Sequence, residues 1–161
     1  MSIEKVRAYL KERGVDDRIM EFDQSTATVI EAAAVVGVEP ARIAKTLTFK
    51  NKAGDGCIIV VAAGDARVDN HGFRDRFGLK ARMCTPEEAV RYTGHAVGGV
   101  CPFAVPAETP VYLDESLKRF ETVFPAAGNA QSAVRLTPEE LFAASGARDW
   151  VRVCRILEAE G

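Results

Sequence analysis

Two adjacent glycines past the middle of this sequence could place backbone atoms against a reacting group. Gly98 and Gly99 lie within residues 94–106, where Pro102 and Pro106 also argue against a regular helix. Glycines let the backbone approach a ligand closely, and the N–H groups of such a loop can point at one oxygen. Such donors stabilise a carbonyl oxygen that gains negative charge during acyl transfer. An ordinary surface loop is the alternative, and no Gly-Lys-Ser/Thr follows to make a phosphate-binding P-loop.

A lysine at the junction of a predicted helical turn and a strand is the second candidate. Lys45 has apolar or small neighbours on the side of the turn, where a charged side chain is conspicuous. Its ammonium group could hold a phosphate or a ribose hydroxyl. A solvated lysine at the end of a strand is the alternative.

A cysteine and a histidine in the glycine-rich stretch are a third candidate, for nucleophilic catalysis by a thiolate. His95 and Cys101 are six residues apart, and a histidine can activate a thiolate nucleophile. No third, orienting group is evident in the sequence. Asp65 and Asp69 could serve as a general base, although Asp69 is explained more simply as a helix N-cap.

Composition limits the classes of partner and cofactor. The net charge is −2, so any contact with RNA must use a local basic patch, and DNA is not expected as a partner. The four cysteines form no C-x-x-C pair and there are two histidines, so we predict neither a metal site nor a cofactor. No run of 18 apolar residues predicts a membrane span. These features are typical of a cytoplasmic protein with reduced thiols.

The elements that must position these residues can be predicted from caps and periodicity. Ile3, Val6 and Leu10 recur at helical spacing before Gly14. The S/T-x-x-E pattern of a capping box occurs three times, at residues 28–31, 85–88 and 137–140, and each predicts the start of a helix. Residues 69–77 predict a further, polar helix, and Pro40 predicts a short helical turn.

Strands are predicted between these helices. Residues 57–63 form a continuous apolar run that is typical of a buried central strand. The other predicted strands are residues 18–22, 45–50, 79–83, 111–113, 122–124, 133–136 and 150–156. Because helices and strands do not alternate regularly, we predict a single α+β domain over residues 1–161. Its β-sheet is expected to be mixed, mainly antiparallel and surrounded by helices.

Four segments of the chain together resemble the YbaK/ProX (EbsC-like) family of aminoacyl-tRNA editing domains. They lie in family order at residues 28–47, 58–69, 94–102 and 127–141. The most specific elements are the sequences Ile-Ala-Lys-Thr-Leu at residues 43–47 and Gly-Gly-Val-Cys-Pro at residues 98–102.

The resemblance implies a free-standing deacylase that hydrolyses mischarged tRNA in trans. A related editing domain is inserted in some bacterial prolyl-tRNA synthetases. The resemblance implies a small amino acid such as Ala or Cys, carried on tRNA for proline, and a fold that encloses a small pocket. An aminoacyl-tRNA synthetase is a further candidate partner. The family uses no protein nucleophile, so water or a group of the substrate attacks the ester. A catalytically inactive binding module of the same fold, which recognises an aminoacyl or nucleotide group, is the alternative.

The resemblance also implies the residues of the site. It assigns catalysis to Lys45, Gly99 and Val100. The residues that it implies for substrate binding are Thr28, Ile30, Lys45, Thr46, Gly98, Gly99, Val100, Cys101, Pro102, Gly128 and Asn129. Many relatives have a serine where this chain has Cys101, and a histidine near Asp23 that this chain lacks. Either difference is expected to change amino-acid preference.

Overall fold

A computed structural model describes residues 2–156 of the 161-residue chain. The helices of this part are α1 (Ser2–Lys11), α2 (Val29–Val36), α3 (Asn70–Phe77), α4 (Pro86–Thr93) and α5 (Pro138–Ser145). Its strands are β1 (Ile19–Glu21), β2 (Ala44–Lys50), β3 (Cys57–Ala63), β4 (Ala66–Val68), β5 (Val111–Asp114), β6 (Ser132–Val134), β7 (Asp149–Val151) and β8 (Cys154–Ile156). Short 3₁₀ turns lie at Asp16–Arg18, Pro40–Arg42 and Glu115–Arg119.

The central sheet has four strands in the order β2-β3-β5-β7. β2 and β3 form an antiparallel hairpin in which Lys45 pairs with Ala62, whereas β3–β5 and β5–β7 are parallel. Two small antiparallel sheets, β1–β6 and β4–β8, flank it. Three of the five strand pairings among residues 2–156 are therefore antiparallel. The predicted α+β fold with a mixed, mainly antiparallel sheet and surrounding helices is confirmed.

The two faces of the central sheet pack against different helices because side chains alternate along each strand. Ile59 and Val61 belong to the larger core cluster, which includes residues of α1 and α5. Ile58 and Val60 pack on the opposite side with Phe73 of α3. A third cluster joins α2 to the outer edge of β2, and its members are Ala32, Ala33, Ile43, Phe124 and Ala133.

The N-caps of α2, α4 and α5 largely agree with those predicted from the sequence. Thr85 and Thr137 form complete capping boxes with Glu88 and Glu140. Thr28 caps α2 through a bond from the N–H of Glu31, as predicted. The Glu31 carboxylate, however, accepts a hydrogen bond from Ser25 rather than returning to the cap, so this box is half formed.

Three strand predictions were wrong in detail. Residues 79–83 contribute a single bridge, between Met83 and Phe49, and residues 122–124 contribute two isolated bridges. Residues 150–156 form two strands instead of one. The N–H of Val153 donates to the Asp114 carboxylate at 2.9 Å, which breaks the ladder and lets β8 join a different sheet. Within residues 2–156, no helix is long and apolar enough to cross a lipid bilayer.

Candidate active site

A cavity of about 320 Å³ opens beside β2, the outer strand of the central sheet. The start of α2, the segment before α4, the loop around Gly98 and the start of β6 form its other walls. Its lining residues are Thr26, Ala27, Thr28, Val29, Ala32, Ile43, Ala44, Lys45, Thr46, Thr48, Met83, Cys84, Thr85, Pro86, Ala89, Val97, Gly98, Val100, Phe124, Ala126, Ser132 and Ala133. This volume is at the lower end of the roughly 300–1,000 Å³ typical of small-molecule sites.

The wall of the cavity is apolar and built from small side chains. Six of its lining residues are alanines, and Lys45 is the charged residue among the lining positions that the structure describes. The first turns of α2 and α4 both reach the cavity, and helix N-termini carry a partial positive charge. The cavity therefore favours an oxygen that carries or develops negative charge.

Lys45 is held at the cavity by two backbone carbonyl groups. Its Nζ donates to the carbonyl of Gly64 at 3.4 Å and to that of Ala66. Burial lowers the pKa of Lys45, while the nearby carboxylate of Asp65 acts in the opposite direction. An ammonium group has three N–H donors, so one is left for a ligand.

Asp65 is itself fixed by a bidentate ion pair. Both of its carboxylate oxygens accept hydrogen bonds from Arg119, at 2.6 and 3.1 Å. Bidentate geometry fixes the carboxylate in orientation as well as position. The carboxylate that acts against the effect of burial on the pKa of Lys45 is therefore held in a rigid ion pair.

Close backbone contact fixes the glycine-rich loop. A Cβ atom added to Gly99 would lie 2.5 Å from the Cα of Asn129, a distance that no side chain can adopt. The N–H of Gly99 donates to the carbonyl of Ala96 at 2.9 Å. The N–H groups of Gly98 and Val100 form no hydrogen bond with any residue from 2 to 156. These two donors are therefore available at the cavity wall.

Hydrogen bonds between two other wall segments support the loop from behind. The hydroxyl of Thr26 donates to the carbonyl of Ser132 at 3.2 Å and accepts from its N–H at 3.0 Å. The hydroxyl of Ser132 in turn accepts from the N–H of Ala127 at 3.2 Å. The wall on this side is consequently preorganised by buried polar contacts.

His95 and Cys101 are neighbours, but their hydrogen bonds do not suit nucleophilic catalysis. Cys101 Sγ lies 3.5 Å from His95 Nε2, and both residues are completely buried. His95 Nε2 also lies 2.7 Å from the carbonyl of Phe103, which can only accept, so this nitrogen carries a proton. Its other nitrogen, Nδ1, is free to accept from the hydroxyl of Ser2.

The pKa values of His95 and Cys101 also argue against nucleophilic catalysis by this pair. Burial raises the pKa of the Cys101 thiol to about 12. Burial also lowers the pKa of His95, despite the hydrogen bond to Phe103 that acts in the opposite direction. A protonated Nε2 cannot take the thiol proton, and a thiol with this pKa is not a thiolate near neutral pH.

The cavity brings together only part of the set of residues implied by the family resemblance. Five of them line it: Thr28, Lys45, Thr46, Gly98 and Val100. The others lie outside its lining: Ile30, Gly99, Cys101, Pro102, Gly128 and Asn129. Ile30 is 68% exposed on α2, and Cys101 and Pro102 are buried. Gly99, Gly128 and Asn129 form the contact behind the loop.

Several residues of the cavity wall were missed by reasoning from the sequence. Thr85 and Pro86 were identified only as a helix start, yet they face the cavity together with Met83 and Cys84. Thr26 carried no signal of its own. A helix start that follows a poorly defined strand was the available hint, because helix N-termini often border binding sites. Among residues 2–156, no group of three or more His, Cys, Asp or Glu side chains could hold a metal ion.

Comparisons with known proteins agree on one family. The model of the aminoacyl-tRNA editing domain matches residues 23–144. YwhH of Bacillus subtilis (strain 168), an uncharacterized protein, is 48% identical over 155 residues, which span 96% of this chain and 98% of YwhH. EbsC of Enterococcus faecalis (strain ATCC 700802 / V583) is named as a proposed Cys-tRNA(Pro)/Cys-tRNA(Cys) deacylase. It is 29% identical over 111 residues, which span 68% of this chain and 66% of EbsC.

A solved structure extends the similarity to the three-dimensional fold. The crystal structure of a proposed trans-editing enzyme for prolyl tRNA synthetase superposes with a TM-score of 0.85 at 34% sequence identity. The match covers 96% of this chain and 97% of that protein.

Proposed function

Because this chain belongs to the aminoacyl-tRNA editing domain family, we propose that it is an aminoacyl-tRNA deacylase that acts in trans on the 3′ end of mischarged tRNA. The observation that carries the proposal is one small cavity whose wall combines Lys45 with the free N–H donors of Gly98 and Val100. The similarity to EbsC and to a trans-editing structure supports the same reaction.

The reaction is hydrolysis of an ester. Water adds to the acyl carbon, the bond from that carbon to the ribose oxygen breaks, and the ribose oxygen gains a proton. The products are a free amino acid and a tRNA with a 3′-terminal hydroxyl. We assign to the N–H groups of Gly98 and Val100 the stabilisation of the oxyanion of the tetrahedral intermediate. Gly99, whose N–H is already bonded to Ala96, gives the loop its shape.

Lys45 is the residue to which we assign the terminal nucleotide. Two of its donors are engaged by the carbonyls of Gly64 and Ala66, which leaves the third for an oxygen of the substrate. An aminoacyl ester is already activated, so positioning and oxyanion donors are sufficient for a large acceleration. A protein nucleophile is not part of the proposal, since the Cys101 thiol is buried outside the cavity and stays protonated.

The size of the cavity supports a small amino acid as the group removed, with Ala or Cys on tRNA for proline as the first candidates. Alanine side chains in the wall leave room for a short side chain and provide apolar contact for it. Editing sites of this kind reject larger cognate amino acids by size, as a second sieve. The net charge of −2 offers little general attraction for tRNA, which supports a synthetase as the partner that delivers the substrate.

The experiment is a deacylation assay with tRNAs that carry radiolabelled Ala, Cys, Ser or Pro. We expect rapid loss of one small amino acid, and a loss of activity of at least about 100-fold in Lys45→Ala, because positioning is removed. Lys50→Ala is the matched control, since Lys50 is on the same strand but forms an ion pair with Glu88 instead of lining the cavity.

Two outcomes would contradict the proposal. Folded protein that accelerates none of the four reactions, with or without added prolyl-tRNA synthetase, would favour a binding module. Equal losses in Lys45→Ala and Lys50→Ala would remove Lys45 from its assigned role.

A further inference from the structure

The outer edge of β2 is paired at both ends and open between them. Toward one end, the N–H of Ala44 donates to the carbonyl of Phe124 at 3.1 Å. Toward the other end, the N–H of Cys84 donates to the carbonyl of Thr48 at 2.9 Å. The open interval is centred on Thr46, which lines the cavity.

The polar groups of Thr46 are left without partners by this arrangement. Alternate residues of a strand direct their N–H and C=O groups to the same side, so those of Thr46 point outward like those of Ala44 and Thr48. Among residues 2–156, neither group forms a hydrogen bond on that side. The hydroxyl oxygen of Thr46 is buried and also lacks a partner within the described chain. A buried hydroxyl without a hydrogen-bond partner lowers the stability of the fold, so we interpret this one as a contact for a ligand.

The open interval fits a ligand with the length of one residue. An unpaired strand edge is a template for an extended backbone, which adds to it through N–H and C=O groups. An aminoacyl group has an amine and a carbonyl on either side of one carbon, as a single residue of a strand does. In an antiparallel hydrogen-bonded pair, two such units exchange both of their bonds. The aminoacyl end of the substrate therefore matches the edge at Thr46 in length and in polarity.

We propose that Thr46 recognises the α-amino group of the substrate by pairing with the aminoacyl unit as if it were one residue of an added strand. The carbonyl of Thr46 accepts from the amine, its N–H donates to the acyl oxygen, and its hydroxyl is a second contact for the amine. This inference rests on the proposed deacylase function and deepens it, because it assigns recognition of the substrate's α-amino group to Thr46.

The charges around the site affect the form in which the amine binds. Lys45 and the N-termini of α2 and α4 disfavour a second positive charge in the cavity. A neutral amine retains two N–H donors, so it can still bind the carbonyl of Thr46. A carboxylate partner is therefore not needed for recognition.

The test uses two amide probes that cannot be hydrolysed as esters. One is 3′-(alanylamino)-3′-deoxyadenosine and the other is its propionyl counterpart, which lacks only the amine. Titration calorimetry should show that the alanyl probe binds about tenfold more tightly or better, because one buried hydrogen-bonding group is lost in the other. The amide ¹H–¹⁵N signal of Thr46 should shift with both probes, since both carry the carbonyl.

A variant separates recognition from structural support. Thr46→Val removes the unpartnered hydroxyl at nearly constant volume, so it should raise the melting temperature and weaken alanyl binding about threefold or more, without changing propionyl binding. Thr93→Val is the matched control. The Thr93 hydroxyl donates to Ala89 at 2.6 Å and accepts from His95 at 3.1 Å, so its loss should lower the melting temperature and leave the ratio of the two affinities unchanged.

Equal affinities of the wild-type protein for the two probes, or no binding of either, would overturn the inference. The deacylase proposal is tested separately by the tRNA assay. Preference for the alanyl probe in a protein that hydrolyses no aminoacyl-tRNA would support recognition by Thr46 while the proposed function failed.

Discussion

Gly99 and Asn129 are in direct backbone contact, and this contact joins the two loops that stand behind the cavity. The position of a Cβ on Gly99 lies 2.5 Å from the Cα and 2.6 Å from the N of Asn129. The neighbouring residue Gly98 faces the cavity, so the contact sets where the free N–H groups on either side of Gly99 point. The geometry of the proposed oxyanion donors is thus determined by a residue 30 positions away in sequence.

Gly99→Ala should therefore disable the site and destabilise the fold. The added methyl meets backbone atoms that cannot rotate away, and overpacking of this kind costs about 1–3 kcal/mol. We expect a lower melting temperature and a large loss of deacylation. Gly56→Ala is the control, because its Cβ would meet only the side chain of Asn51, at 2.9 Å, and no backbone atom. A stable, fully active Gly99→Ala protein would show that the loops are not held by this contact.

Cys101 should be dispensable for hydrolysis. Because His95 Nε2 is already protonated and the pKa of the thiol is raised to about 12, Cys101→Ser and Cys101→Ala should each retain kcat/KM within about threefold. The measurement is single-turnover deacylation of the preferred aminoacyl-tRNA. Loss of activity by two orders of magnitude in both folded variants would instead indicate a thiol hydrolase.

The stability of the protein should fall in mild acid. Burial lowers the pKa of His95 below its ordinary value of 6.5, so below that pH the unfolded chain binds a proton that the folded chain does not. The free energy of unfolding must then decrease as pH falls below about 6.5, and the contribution of His95 is constant above it. Urea titrations at a series of pH values measure this effect. His95→Gln should flatten the dependence; an unchanged dependence in that variant would contradict the assignment.

The negative charge of Asp65 should raise the pKa of Lys45. Burial lowers the pKa of Lys45 and the Asp65 carboxylate partly reverses that effect, so Asp65→Asn should lower the pKa of Lys45 further. A ¹³C NMR titration of the lysine side chain reports this change directly. Asp149→Asn, which removes a carboxylate paired with Arg76 instead, is the control. An unchanged Lys45 titration in Asp65→Asn would mean that the carboxylate does not act on it.

Local patterns in the sequence predicted the elements that depend on local interactions. The strand at Cys57–Ala63 was predicted with its observed ends, because a run of seven apolar residues can only be buried on both faces. The boxes at Thr85 and Thr137 were predicted because all of their atoms lie within four residues. The end of β7 could not be predicted, since it depends on Asp114, which is 39 residues from Val153.

The sequence likewise predicts only those features of the candidate site that depend on local residue types. Lys45 and the glycines at 98 and 99 stand out by residue type and neighbours. The gap at Thr46 does not, because it exists only between the two segments that pair with β2, which stop at Phe124 on one side and at Cys84 on the other. Which residues face a cavity at a strand edge is set by these distant partners.

The alanines of the cavity wall have a consequence for how this protein can evolve. Every alanine codon lies one base change from codons for glycine, serine, threonine and valine, so the wall can gain or lose a methyl or a hydroxyl by single mutations. Six such positions line the cavity. For the proposed deacylase, amino-acid preference could therefore change by small steps while Lys45 and the loop donors stay in place.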